Sequence, residues 1–141
     1  MKIVVLDTSA LVRLYIPDGP MPDNIEKYIS AALSAETSLI IPELALAEFA
    51  QVLWKKEQAG YLTSLEVDEI MSAFLDLPLE VFGHIDILPD AISLARRHVL
   101  SVYDALFLAL AGNRNAELVT ADKKLKNAYE SIKKLKSNQL N

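Results

Sequence analysis

The chain has 141 residues, a formal net charge of −5, 52% hydrophobic residues and a mean hydropathy of +0.22. That is the length of one ordinary domain, spanning 1–141, with enough apolar residues for a substantial core and too many for intrinsic disorder. The absence of cysteine excludes disulfides, thiolate zinc sites, iron–sulfur clusters and a cysteine nucleophile, and the scattered glycines at 19, 60, 83 and 112 exclude a G-x-G-x-x-G or P-loop phosphate cradle.

In chain order, Ile3–Leu6 is a short apolar run, β-branched at its first three positions, as expected of a strand buried on both faces. Ala10–Ile16 reads as a short helix stopped by Pro17, and Asp18-Gly19-Pro20 as a turn. Asp23-x-x-Glu26 has the spacing of a capping box and opens a helix to about Ala35. Leu39–Ile41 is a second buried strand. Pro42 then begins a helix that runs to Ala59, with Gly60 as its stop. Thr63-x-x-Glu66 caps another helix with the stripe Val67, Ile70, Met71, Phe74.

Leu79–Phe82 is a weaker third strand, Pro89 starts a helix to about Arg97, and Tyr103–Ala111 is a very apolar helix closed by Gly112. Leu118–Thr120 is a fourth strand, followed by a short helix from Lys123, and Ser131–Leu135 is expected as a fifth, edge strand with its lysines outward. Strands separated by helices predict an α/β domain whose parallel sheet is covered on both faces. The longest stretch without Asp, Glu, Lys or Arg is nine residues, Ala105–Asn113, about half a bilayer span. No signal peptide precedes Asp7, and a soluble cytoplasmic protein is the expectation.

Charge is uneven. From Lys123 onward six lysines face one acid, Glu130, so the rest of the chain carries −10. A basic tail on an acidic body can hold a phosphate backbone or simply be solvated surface.

Four acids stand in unusual places. Asp7 directly follows the first strand, where parallel sheets place their ligand sites, although it also reads as a helix cap. Glu48 falls between Leu44 and Val52 at i±4 spacing, on the flank of an apolar stripe. Asp104 is the only Asp, Glu, Lys or Arg between Arg97 and Arg114. Asp122 follows the fourth strand and doubles as an N-cap for the helix from Lys123. In a parallel sheet all four fall at one edge, and two carboxylates about 4 Å apart repel by roughly 4 kcal/mol at an effective dielectric of 20. Converging acids without basic partners call for protons or cations, and oxygen-only ligands select Mg²⁺ or Mn²⁺. Such a site can activate water against a phosphodiester.

Asp7-Thr8-Ser9-Ala10-Leu11, Pro42-Glu43-Leu44-Ala45-Leu46-Ala47-Glu48, Tyr103-Asp104-Ala105-Leu106-Phe107-Leu108-Ala109-Leu110-Ala111 and Leu118-Val119-Thr120-Ala121-Asp122 resemble, in order and spacing, the signatures of PIN-domain ribonucleases. The compact length is similar to that of the VapC toxins of toxin–antitoxin pairs. The resemblance implies a three-layer α/β/α sandwich with a parallel sheet of about five strands and an acidic groove. It further implies Mg²⁺- or Mn²⁺-dependent endonucleolytic cleavage of RNA, a homodimer and an inhibitory antitoxin. Carried over by position, Asp7 and Asp104 are the principal metal ligands. Glu48 and Asp122 complete the catalytic cluster, and the hydroxyls of Thr8, Ser9 and Thr120 orient ligands or waters. Some members place a further acid where this chain has Lys123 and Lys124, a departure that argues against a fully occupied second metal site.

Arg13, Lys123 and Lys124 are candidate RNA contacts at the rim of the groove. The competing readings are a non-catalytic RNA- or protein-binding module, an interaction protein built on the Val67/Ile70/Met71/Phe74 stripe, and an aspartate-nucleophile phosphatase. The phosphatase reading suffers from Ser9 standing where a second Asp is usual. His84 and His98 are assigned no role.

Overall fold

The computed structural model describes residues 1–140. Its elements are β1 (Lys2–Leu6), α1 (Thr8–Arg13), α2 (Ile25–Leu33), β2 (Thr37–Pro42), α3 (Leu44–Gln58), α4 (Ser64–Leu75), β3 (Leu79–Phe82), α5 (Leu88–His98), α6 (Val102–Asn113), β4 (Glu117–Val119) and α7 (Lys123–Leu140). The strands form one parallel sheet in the order β3-β2-β1-β4, with Val5 beside Ile40 on one side and Leu118 on the other. After β1 the chain winds outward through β2 and β3, then returns to lay β4 on the opposite flank of β1. That reversal creates a crevice beyond the carboxyl ends of β1 and β4, where open parallel sheets bind ligands.

Helices on both faces complete a three-layer α/β/α sandwich. The helix α6 lies against β1, β2 and β4 with α5 and α7 beside it, and α3 packs on α1, α4 and β2. Val4, Val5, Leu6, Leu39, Ile40 and Ile41 are buried, as is the unbroken run Ala105–Ala111, which makes α6 apolar on every side. A helix hydrophobic all round belongs in the middle of a layer, not at its margin. Near α3 and α4, the rings of Phe49 and Phe74 stack with centroids 3.9 Å apart, and Tyr15 meets Phe49 edge-on. Phe74 is therefore core, and Val67, Ile70 and Met71 pack partly buried against it.

The element order matches the sequence-based expectation except at several ends. The expected fifth strand, Ser131–Leu135, is part of α7, and the sheet has four strands among the described residues. The reason is period: Leu125, Ala128, Tyr129 and Ile132 recur at helical spacing and turn toward the core, while Lys133, Lys134 and Lys136 are exposed. The Asp23/Glu26 capping box does not form, because Asn24 adopts a left-handed conformation (φ 69°) and the helix starts after it without a side-chain cap. The box at Thr63 and Glu66 does form, with both reciprocal hydrogen bonds.

Pro42 ends β2 instead of opening α3. The first helix begins at Thr8, not Ala10, because Asp7 caps it. Gly112 lies inside α6, whose exit is made through Asn115 in the left-handed region (φ 49°).

Candidate active site at the carboxyl edge of the sheet

Asp7 leaves β1 and caps α1: its Oδ1 accepts the backbone N–H of Ala10 at 3.0 Å and the hydroxyl of Ser9 at 2.7 Å. Its Oδ2 accepts the hydroxyl of Thr120 at 2.7 Å. The cap and site readings of Asp7 are thus compatible, since one oxygen serves the helix and the other faces β4. Asp7 is only 4% exposed, and among the described residues no lysine or arginine forms a salt bridge with it. Burial pushes its carboxyl up to about 6, against the three hydrogen bonds that lower it, and the field of Asp122 adds to the rise.

Thr120 follows β4 and also accepts the backbone N–H of Asp122 at 2.9 Å, while Ser9 Oγ accepts that of Ala121 at 2.9 Å. Ser9 and Thr120 hydroxyl oxygens are 3.3 Å apart. The two loops after β1 and β4 are thereby laced together by hydroxyls. Asp122 Oδ1 accepts the N–H of Leu125 and caps α7, as its position in the sequence allows.

On the other flank, Thr8 donates its hydroxyl to Glu48 Oε1 at 2.8 Å, tying the first turn of α1 to α3. Burial raises the Glu48 carboxyl, with the Thr8 hydrogen bond opposing and the charge of Asp104 adding. Asp104 sits in the first turn of α6, where the Ser101 side chain caps its N–H at 3.1 Å. Burial and then the charge of Asp122 raise the Asp104 carboxyl, while the Ser101 hydrogen bond and Lys124 lower it.

Electrostatically the four acids are linked: Asp7 and Asp104 both feel the charge of Asp122, and Glu48 feels that of Asp104. As their side chains stand, however, no three of the His, Asp or Glu residues described are gathered closely enough to enclose a metal ion. The donor set suits a hard cation: every candidate ligand is a carboxylate or hydroxyl oxygen, and three of the carboxylates are raised by burial.

The basic candidates separate. Lys124 reaches into the field of Asp104, a cationic neighbour that the residues around Asp104 in the chain do not reveal. Arg13 instead turns to the Asp18-Gly19-Pro20 turn, donating to the Pro20 carbonyl at 3.3 Å and lying over Gly19. Lys123 is exposed at the start of α7.

Two residues with a part in this site were not singled out from the sequence. His84 Nε2 accepts the backbone N–H of Leu44 at 3.0 Å and so anchors the start of α3, the helix that carries Glu48. Ser101 fixes the start of α6; its place three residues before Asp104 was the available signal.

The PIN domain family model matches residues 4–131. Ribonuclease VapC3 of Pyrobaculum aerophilum is 32% identical over 134 residues, covering 94% of this chain and 98% of that protein. Ribonuclease VapC3 of Mycobacterium tuberculosis is 30% identical over 128 residues, covering 91% and 88%. Among solved structures, PAE2754 from Pyrobaculum aerophilum superposes with a TM-score of 0.70 at 22% identity, over 93% of this chain and 86% of that one. VapC20 of Mycobacterium tuberculosis, a Sarcin-Ricin loop cleaving toxin, gives 0.60 at 17% identity over 89% and 94%. These two show the shared fold. With the family match over nearly the whole chain, the carboxylate-edged crevice between β1 and β4 is that of a VapC-type member of the PIN-domain family, to which this chain belongs.

Proposed function

We propose that the chain is the ribonuclease toxin of a toxin–antitoxin pair and hydrolyses RNA phosphodiester bonds endonucleolytically at Asp7, Glu48, Asp104 and Asp122 with Mg²⁺ or Mn²⁺. The single observation that carries this reading is Asp7: an acid almost sealed from water at the topological switch point, held by three donors and matched by no salt bridge among the described residues. The ribonuclease names of its relatives at 30–32% identity supply the substrate class.

Asp7 and Asp104 would be the principal ligands, with Glu48 and Asp122 completing the set. A bound divalent ion would supply charge neutralisation at the phosphate and a lowered pKa for water. The hydroxyls of Ser9 and Thr120 aim the two oxygens of Asp7, so it needs no reorganisation when charge develops. Thr8 holds Glu48 Oε1 in place, so that the carboxylate faces the cluster in a fixed orientation. Lys124, beside Asp104, offers the RNA phosphates a cation at the rim. A homodimer and an antitoxin partner belong to the same proposal.

A second reading, a non-catalytic RNA- or protein-binding module, is favoured by the absence of a closed three-carboxylate group among the described residues. The deciding experiment is cleavage of end-labelled structured RNA by antitoxin-free protein with Mg²⁺, Mn²⁺ or EDTA, beside Asp7→Asn and Asp104→Asn. Metal-dependent cutting that both variants lose supports the nuclease. A clean protein that neither cuts nor binds divalent metal leaves the binding module.

A further inference from the structure

At the amino edge of the sheet, opposite Asp7, a cleft of about 820 Å³ opens between α5, α6 and α7. Ile3, Leu94, Leu108 and Ile132 contribute apolar wall, and Tyr129 presents a half-buried ring. Lys133 Nζ stands 5.9 Å from the centre of that ring. Two acids line the cleft, Asp90 and Glu117. Glu117 is already engaged, by the Lys2 ammonium at 2.8 Å and by the Tyr28 hydroxyl. Arg97, Lys133 and Lys136 also line it and form no salt bridge among the described residues, although Lys133 lies in the field of Glu117. A protein of net charge −5 thus carries a local surplus of positive charge around an apolar, aromatic-walled hollow.

The helix α7 joins this cleft to the acid cluster. Asp122 caps its first turn, and Lys133 stands in the cleft ten residues after Lys123, about 15 Å along the axis, on the side of the helix opposite Lys124. Lys126, Tyr129, Lys133 and Lys136 recur at i, i+3, i+7 and i+10, which puts them on one face of the helix. Cations at intervals beside an aromatic face are what a single nucleic-acid strand binds, phosphates on the cations and a base on the ring.

We infer that the cleft is a second RNA subsite, holding backbone phosphates on Arg97, Lys133 and Lys136 and a base against Tyr129, for the strand that leaves the acid cluster along α7. This rests on the ribonuclease reading above. An acidic peptide matches the charge alone; the aromatic wall and the row Lys126, Tyr129, Lys133 and Lys136 on one face of α7 favour RNA.

The test uses the full chain carrying Asp7→Asn, without added divalent ion, and fluorescent single-stranded RNAs of about 4 and about 16 nucleotides, the two ends of the range of site sizes of single-strand binders. Two further versions add Lys133→Gln with Lys136→Gln, or Arg97→Gln, and Lys27→Gln on α2 is the remote control. These side chains are on the surface, and thermal melts confirm that each variant is folded. The expected result is about tenfold weaker binding of the long RNA by the double-lysine variant. Its salt slope should be smaller by about 1.4, two contacts at roughly 0.7 each, with the short RNA unaffected.

An unchanged affinity and slope for the long RNA overturns the subsite; if the wild-type chain still cleaves RNA with metal, the ribonuclease reading survives that failure. If the wild-type chain does not cut and the Asp7→Asn chain binds neither RNA, both fall together. Adenosine monophosphate or polyglutamate binding that depends equally on these cations, with no dependence on RNA length, marks a free-nucleotide or acidic-peptide site and also overturns the proposal.

Discussion

The hydroxyl of Thr120 donates to Asp7 Oδ2 at 2.7 Å, a hydrogen bond between residues 113 apart in the chain that closes the crevice between β4 and β1. Thr120 is itself buried, so no water can take over the role freely. It is one of three donors that keep the Asp7 carboxyl from rising beyond about 6.

Replacing Thr120 by Val keeps the volume and removes the donor. The Asp7 carboxyl should then titrate higher, and kcat/KM at pH 7 should fall about tenfold, the low end for loss of a residue that orients a ligand. Thr120→Ser should retain most of the activity. Carboxyl chemical shifts followed against pH would check the first part, and a Thr120→Val profile that overlays the wild type would refute it.

The metal-free protein should be more stable near pH 5 than at pH 8. For an acid whose folded pKa lies above its unfolded one, here about 6 against 3.8, the folded state binds more protons within that window, so stability rises as pH falls through it. Between pH 8 and pH 5 Asp7 contributes on the order of 1.5 kcal/mol, about half of the full difference, which is reached only below its unfolded value; Glu48 and Asp104 are shifted in the same direction. Glu117 is held low by Lys2 and Tyr28, and its opposite contribution is lost only as pH falls below the usual carboxylate range. Urea titrations in EDTA at pH 5, 6, 7 and 8 measure the slope. The Asp7→Asn variant should flatten it.

Adding Mg²⁺ or Mn²⁺ at pH 8 should raise the melting temperature saturably, because an ion that binds only the folded state stabilises it by mass action, about 2.7 kcal/mol at 100 times Kd. The same ion should reduce the pH 5 to pH 8 difference by compensating the buried charge. Asp104→Asn should weaken both effects. Differential scanning fluorimetry across a metal titration reads them, and identical melting with and without metal at every concentration would count against a cation site.

His84→Ala should cost about 1 kcal/mol of stability, the usual scale for a lost helix cap, through the Leu44 N–H it leaves without its acceptor. Because α3 carries Glu48 one turn further on, activity should fall more than the stability loss explains. Comparing His84→Ala with Thr8→Val, which removes the hydrogen bond to Glu48 directly, separates the anchoring of the helix from the aiming of the carboxylate.

Much of this molecule is written locally. The apolar runs Ile3–Leu6 and Leu39–Ile41 become the central strands, the Thr63/Glu66 pair caps α4, and Asp7 and Asp122 follow strand ends, because each depends only on residues a turn or two away. Local signals also mislead where two patterns share one segment. Ser131–Leu135 alternates enough to pass for an edge strand, yet Leu125, Ala128 and Ile132 extend a helical stripe across it, and burial of that stripe prevails.

By itself the sequence determined the strand-and-helix alternation, the four acids that stand out from it, and the hydroxyls beside them. Only the tertiary structure decided that β4 lies beside β1, so that Thr120 meets Asp7; that Thr8 binds Glu48 forty residues away; that Lys124 lies in the field of Asp104 while Arg13 turns to a loop; and that His84 secures α3. The physical reason is that residue spacing sets which side chains share a face of one helix or strand. The strand order 3-2-1-4, settled by the burial of whole faces against one another, sets which faces meet.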